Sequence, residues 1–174
     1  VVDGVLDVTT TEWADELVGG VLSAGPERLD AATETGTPQV VSVGALDMVN
    51  FGPEDSVPEE FRDRNLHVHN PQVTLMRTTP EECAELGEII AEKLNAATGP
   101  TALALPLDGV SMLSVEGEDF YDPEADAALF DALREHIDDG VDLIEVETDI
   151  NDEAFVDAIV DRLDEYVTAQ SSGA

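Results

Sequence analysis

The stretch Asn65–Thr79, NLHVHNPQVTLMRTT, decides how the chain is read. Leu66 to His69 reads as a short strand running into a polar loop, and Thr79-Pro80-Glu81-Glu82 reads as the opening of a helix behind it. Thr79 can accept from a free helical N–H, Pro80 has no N–H to lose at the first position, and Glu82 completes a capping box. Strand, loop and helix in that order form the unit from which parallel sheets are built. Between the two elements lie His69, Asn70, Gln72, Thr74, Arg77 and Thr78, and no other loop holds such a density of ligand-orienting side chains. A site, where there is one, is expected to centre here.

Working outward, the same alternation recurs. Val1 to Val8 is a short apolar run suited to a buried strand. The chain starts in it without a Met, as though cut from a longer protein. Thr9 or Thr11 caps a helix from Glu12 to Val18. A glycine-rich loop, Gly19 to Gly25, leads to a helix from Pro26 to Thr35 that Gly36 ends. Gln39 to Val43 is the second strand, and Gly44 to Arg64 is long, aperiodic and expected to be a functional loop, a lid or partly helical. After the organising stretch, Pro80 to Asn95 keeps Cys83, Leu86, Ile89, Ile90 and Leu94 at helical spacing. A strand at Thr101 to Leu105 follows, then a second long loop from Pro106 to Tyr121. Asp122-Pro123 starts a helix to Ile137, Val141 to Val146 is the fifth strand, and Asn151 caps the last helix.

Five strand–helix alternations without a hairpin signal predict an α/β fold. It should have three layers, with an about five-stranded, mainly parallel sheet, Rossmann-like or flavodoxin-like. One domain is expected over residues 1–169, with a flexible tail at 170–174.

Composition narrows the partners. Forty acids stand against 7 bases, giving a net charge of -33, yet 43% of the residues are hydrophobic. The acids are spread along every helix rather than in blocks, which suits a solvated coat on an ordinary core in a protein working at high salt. Molar salt shortens the Debye length to about 3 Å and relieves the self-repulsion. This charge speaks against nucleic-acid backbone binding, which needs clustered Lys and Arg, and against an anionic membrane surface. No apolar run is long enough to span a membrane and no signal-peptide pattern occurs, so a cytoplasmic protein is expected. The single cysteine, Cys83, reads as a small buried helical residue.

In an open parallel sheet, ligands bind beyond the carboxyl ends of the strands. The first strand is followed by Thr9, Thr10 and Thr11, the second by Asp47 and Asn50, and the third by His69, Asn70, Gln72 and Arg77. The fourth is followed by Asp108 and Ser111, the fifth by Thr148 and Asn151. Arg77 reads as a fork for a carboxylate or phosphate, or as half of an ion pair with one of the many acids. Gly19, Gly20, Ser23 and Gly25 could present backbone N–H groups to an anion, or simply form a tight turn, and they match neither the Walker nor the dinucleotide pattern. His67 and His69 share a strand face, but without a third spaced ligand no metal is expected. His69 and Asp47 are the acid–base candidates, against structural readings of both. Ser111 lacks the nucleophile-elbow pattern.

Four collinear blocks carry a resemblance: DGVLDVTTTEWADELVGGVLSAGPERLDAA, PQVVSVGALDMVNFG, RNLHVHNPQVTLMRTTPEECAELG and DPEADAALFDAL. They resemble the Tm-1-like ATP-binding family of unknown function, the family of the tomato mosaic virus resistance protein. The chain is similar to its carboxyl-terminal subdomain. The resemblance implies ATP as a cofactor of the full protein and an amino-terminal domain as partner. In the plant member it implies an interaction that blocks a viral replication protein. Carried over, it points to Thr9, Thr10, Thr11, Gly19, Gly20, Ser23, Gly25, Asp47, Asn50, His69, Asn70, Gln72 and Arg77.

Two functions follow as expectations. One is an enzyme or half of one, binding a nucleotide or a phosphorylated or carboxylated metabolite in a cleft shared with the amino-terminal domain. The other is a non-catalytic, nucleotide-responsive regulatory or interaction module. The isolated domain is also expected to be able to dimerise through an apolar face that its partner normally covers.

Overall fold

A computed structural model describes residues 2–172. Among these residues, seven strands and five α-helices occur in the order β1 (Val5–Thr9), α1 (Glu12–Val18), α2 (Asp30–Thr35), β2 (Gln39–Gly44), β3 (Met48–Phe51), β4 (Leu66–Asn70), β5 (Val73–Arg77), α3 (Pro80–Asn95), β6 (Thr101–Pro106), α4 (Pro123–His136), β7 (Asp142–Val146) and α5 (Glu153–Ser172). The fold is α/β, with a four-stranded parallel sheet in the order β1-β2-β6-β7.

Period-two alternation sends neighbouring residues of the central strands to opposite layers. Val41, Val43, Leu103 and Leu105 pack against Leu86, Ile90 and Leu94 of α3 and Leu129 and Leu133 of α4. Val40, Ala102 and Ala104 face Phe155 and Ile159 of α5. Helices on both faces of a parallel sheet make the three layers. Gly87 lets α3 and α4 approach closely, since a Cβ there would lie 2.8 Å from the Ala132 Cβ.

The organising stretch departs from its reading. Leu66–Asn70 and Val73–Arg77 are the two arms of an antiparallel hairpin, and Met48–Phe51 pairs with Val73–Arg77 on its other side. The expected third parallel strand therefore belongs to a separate three-stranded sheet, β3-β5-β4, inserted between β2 and α3. The main sheet has four strands instead of about five. Part of the expected lid at residues 44–64 is β3, followed by two short 3-10 turns, Glu54–Ser56 and Glu59–Phe61.

Other differences are local. Residues 26–29 are turn and α2 begins at Asp30. Asp152, not Asn151, accepts from a first-turn N–H of α5, that of Ala154, at 2.8 Å. α5 continues to Ser172, into the segment expected as a tail; Val1, Gly173 and Ala174 lie outside the described residues. The helix start at Thr79 is as read, with both capping-box bonds present: Thr79 Oγ1 accepts from the Glu82 N–H at 3.1 Å and Glu82 Oε2 from the Thr79 N–H at 2.8 Å.

Candidate functional site

The hairpin has two ends with opposite surroundings. At its tip, His69, Asn70 and Gln72 are exposed. The contact there is local, the Gln72 N–H donating to Asn70 Oδ1 at 2.8 Å. Behind the tip, His67 Nδ1 lies 2.6 Å from Asp119 Oδ2 and the His67 and His69 rings are 6.3 Å apart. Val73 and Arg77 close opposite ends of β5, about 14 Å apart at 3.4 Å per residue. His69, Asn70 and Gln72 are thus separated from Arg77, and the loop expected to gather them does not exist.

Arg77 is buried at the root, 4% exposed. Its Nη2 donates to Asp126 Oδ1 at 2.5 Å and to the Asp122 carbonyl at 3.3 Å, Nε to the Phe120 carbonyl at 2.9 Å, and Nη1 to Thr78 Oγ1 at 3.0 Å. All three guanidinium nitrogens are occupied by the protein. Arg77 therefore clasps the end of the 106–121 loop to the small sheet and is not a free fork for a ligand. Burial lifts the Asp126 carboxyl to about 6, against the pull of Arg77. Burial likewise pushes the neighbouring Cys83 thiol up to about 11.

The glycine-rich loop is organised from inside by Asp15, a buried residue of α1. Its carboxylate accepts from the Leu22 N–H at 2.7 Å, the Asn50 N–H at 2.7 Å and Asn50 Nδ2 at 3.1 Å. The N–H groups of Gly19 and Gly20 reach the Asp15 carbonyl, and that of Val21 the Asn50 carbonyl. A Cβ on Gly20 would lie 2.3 Å from Asp15 Cγ, which is why this position lacks one. Ser23 donates to Glu16, and Gly25 N–H donates to Ser23 Oγ at 3.0 Å. Of the N–H donors that could have cradled an anion, those of Gly19, Gly20, Val21, Leu22 and Gly25 are committed internally. Asn50 also donates to Thr11 Oγ1, and buried Thr10 donates to the Ser42 carbonyl at 3.0 Å, so Thr10, Thr11 and Asn50 tie β1, β2 and β3 together.

One open cleft, about 360 Å³, lies beside the small sheet at Glu54, Asp55, Arg62 and Leu66, and two more lie at the carboxyl rim of the main sheet. A groove of about 230 Å³ is lined by Val8, Thr9, Gly44, Ala45, Val110, Ser111, Met112, Ile150 and Asn151. Ala45 takes a left-handed backbone, φ 58°, directly after β2, an unusual conformation for a residue with a Cβ. Ser111 Oγ donates to Asp47 Oδ2 at 2.6 Å and accepts from the Leu113 N–H at 3.0 Å. Asp47 stands behind it, 1% exposed, with Oδ1 buried and unpartnered. Desolvation raises the Asp47 pKa, while Ser111 and the charge on Arg77 hold it down. Beside this groove a larger one, about 800 Å³, opens between the ends of β6 and β7 and α4, with Asp108, Glu116, Asp126, Glu147, Asp149 and Asp152 on its walls and Arg134 at its side.

Of the residues read from sequence, Thr9, Ser111 and Asn151 meet at one groove, with Asp47 directly behind. Ala45, Asp15 and Asp126 were missed; a positive φ and a long-range buried pair leave no local pattern. Among the described residues, no three His, Cys, Asp or Glu side chains form a set able to hold a metal ion. Arg28, Arg64, Arg77, Lys93, Arg134 and Arg162 each sit in an ion pair with an Asp or Glu.

Comparison with known proteins agrees along nearly the whole chain. The family model described as Uncharacterised protein family (UPF0261) C-terminal domain matches residues 1–167. A UPF0261 protein of Clostridium tetani is 58% identical over 93% of this chain and 40% of its own length. The ToMV resistance protein Tm-1(GCR237) of Solanum lycopersicum is 48% identical over 92% of this chain and 22% of its own. The tomato ToMV susceptible protein tm-1(GCR26) is 47% identical over the same share, so likeness here does not follow resistance. The chain spans about 40% or less of the length of these relatives.

Proposed function

The chain belongs to uncharacterised protein family UPF0261, as its C-terminal domain, and on that premise we propose that it forms one wall of a small-molecule site. The site is the carboxyl rim of β1, β2 and β6, facing a cleft that the amino-terminal part of the longer protein completes. The ligand is a nucleotide, ATP foremost, or a phosphorylated or carboxylated metabolite.

One observation carries this reading: Ser111 anchored on a buried carboxylate, in a groove where an open parallel sheet takes its ligands. Thr9, Ser111 and Asn151 then orient the ligand by hydrogen bonds. The rim offers no unpaired cation among the residues that line the smaller groove, and acids crowd the larger one. The groups that neutralise a phosphate or carboxylate therefore come from the other wall of the cleft or from a cation bound with the nucleotide.

A second reading, a nucleotide-responsive module without chemistry, has support of its own. His69 stands at the exposed hairpin tip, and Asp47 is buried behind Ser111. Neither acid–base candidate faces the groove directly.

A thermal-shift screen of the full-length protein in molar KCl, with nucleotides and metabolite acids, tests the proposal. A ligand that raises Tm should lose most of that shift in Ser111→Ala and Asn151→Ala. A screen without a single shift, or hits indifferent to both substitutions, overturns it. Product analysis of each hit separates turnover from binding.

We place the protein in a high-salt cytoplasm on its net charge of -33. Among the described residues no helix is long and apolar enough to cross a membrane. Tm should climb steeply from low to molar KCl as the acids are screened, and a flat profile would remove the high-salt reading.

A further inference from the structure

The main sheet is wound in one direction. The chain steps β1, β2, β6, β7, each time to the next neighbour, and right-handed crossovers stepping one way put their helices on one face. α1, α3 and α4 contribute to the core on that face. Among the described residues the other face is covered by α5 alone, which follows β7 and lies back across the sheet. A helix occupies about 10 Å of width and a strand about 4.8 Å, so one helix covers about two strands. A four-stranded sheet needs a second.

The two flanks of α5 differ. On one, Arg162 Nη1 and the Tyr166 hydroxyl donate to Asp142 Oδ2 at 2.7 and 2.5 Å, which turns that flank toward β7. On the other, Val167 and Leu163 lie 2.9 and 3.0 Å from where a Cβ on Gly4 would be, which turns it toward β1. At 100° per residue, Val156 and Val160 fall on this second flank. They are 44% and 46% exposed, and Leu6 of β1, on the same sheet face as its register partner Val40, is 38% exposed. These three exposed apolar side chains fall on one flank of the α5 face.

β1 is also the last strand on this side. The Val5 N–H donates to the Pro38 carbonyl, so by alternation the N–H and C=O of Leu6 point away from β2. A parallel edge with apolar surface beside it is a surface that folded proteins pair or cover.

We propose that the residues preceding this domain in the longer protein sit here. A strand pairs in parallel with the free edge of β1, and the helix that follows it lies beside α5 on Leu6, Val156 and Val160. The relatives supply the occupant: this is their C-terminal domain and covers 40% of the Clostridium tetani protein. Handedness supplies the order. For the new helix to lie on the α5 face, the chain must step outward from the strand beside β1 to one beyond it, and only then return into β1. The completed sheet reverses its winding direction at β1, and such a reversal is where open α/β sheets place their crevice. Thr9, at the carboxyl end of β1, is then on the lip of that crevice. This locates the cleft invoked above without depending on any ligand.

Two measurements on the full-length protein at low micromolar concentration test it. By hydrogen exchange, the Leu6 amide should exchange at least about 100-fold more slowly than that of exposed Ala24. In Val160→Asp, Tm should fall by about 3 °C or more, while Thr168→Asp on the exposed side of α5 leaves it within about 1 °C. A fast Leu6 amide, or a Val160→Asp variant no worse than the control, overturns the proposal. Protection that appears only as the protein dimerises on concentration overturns it too, by assigning the surface to a second copy. Ligand affinity is read by neither measurement, so this proposal and the ligand reading fail separately.

Discussion

At the tip of the β4–β5 hairpin, His69, Asn70 and Gln72 stand in solvent; at its root, Arg77, Thr78 and Asp47 are buried and bonded from several directions. His69, Asn70, Gln72, Arg77 and Thr78 belong to one short stretch of sequence and cannot be ranked from it. What separates them is the rest of the chain. The root receives the 106–121 loop and α4, whereas the tip receives only its own turn. Polar density marks where hydrogen bonds can be made, while burial and partners decide where they matter.

Arg77→Ala tests the contrast most severely. It leaves Asp126 buried without its cation and frees the Phe120 and Asp122 carbonyls, and breaking a buried pair on one side costs about 3–5 kcal/mol. Denaturant unfolding of the full-length protein should show a loss of that order. A loss under about 1 kcal/mol, together with weakened ligand binding, would return Arg77 to the role of ligand fork.

Gly20→Ala comes next. The added methyl would meet the Asp15 carboxylate that holds the loop against β3, and overpacking of this kind costs about 1–3 kcal/mol. If the substitution instead left stability unchanged and abolished binding of an anionic ligand, the loop would be an anion cradle after all.

A smaller effect sharpens the root through pH. Burial raises Asp126 to about 6, so between about pH 4 and 6 the folded protein holds a proton that the unfolded chain releases. The stability this gives is present below about pH 4, is lost as pH rises to about 6, and is flat above. Any stability advantage of wild type over Asp126→Asn should therefore shrink across that window. An advantage that grows there would mean that Arg77 outweighs desolvation.

The contrast also explains how far residues alone could be read. α1 at Glu12–Val18 and α3 at Pro80–Asn95 have the bounds expected from sequence, because helical spacing and the α3 capping box are local; neither Thr9 nor Thr11 caps α1, since Thr11 precedes it without a side-chain capping bond. The hairpin was hidden because Asn70-Pro71-Gln72 holds none of the glycine pairs that announce a two-residue turn. β5 was hidden because it is buried from Thr74 to Arg77 without alternation. Arg77 and Asp126 lie 49 residues apart, beyond the reach of any spacing rule. Thr9, Ser111 and Asn151 were placed correctly at strand ends, since that inference needs only the positions of β1, β6 and β7.

The tip should give the smallest effect of all. His69→Ala, Asn70→Ala and Gln72→Ala each remove an exposed side chain whose contacts are local, and such changes stay within about 0.5 kcal/mol. The informative measurement is a pair: stability and ligand affinity of each variant in the full-length protein, beside Ser111→Ala. If the tip is bystander surface, all three keep wild-type affinity while Ser111→Ala does not. If His69→Ala weakened a ligand more than Ser111→Ala without touching stability, the ligand would reach about 14 Å along the small sheet from root to tip. The site would then lie on the inserted hairpin and not on the rim of the parallel sheet.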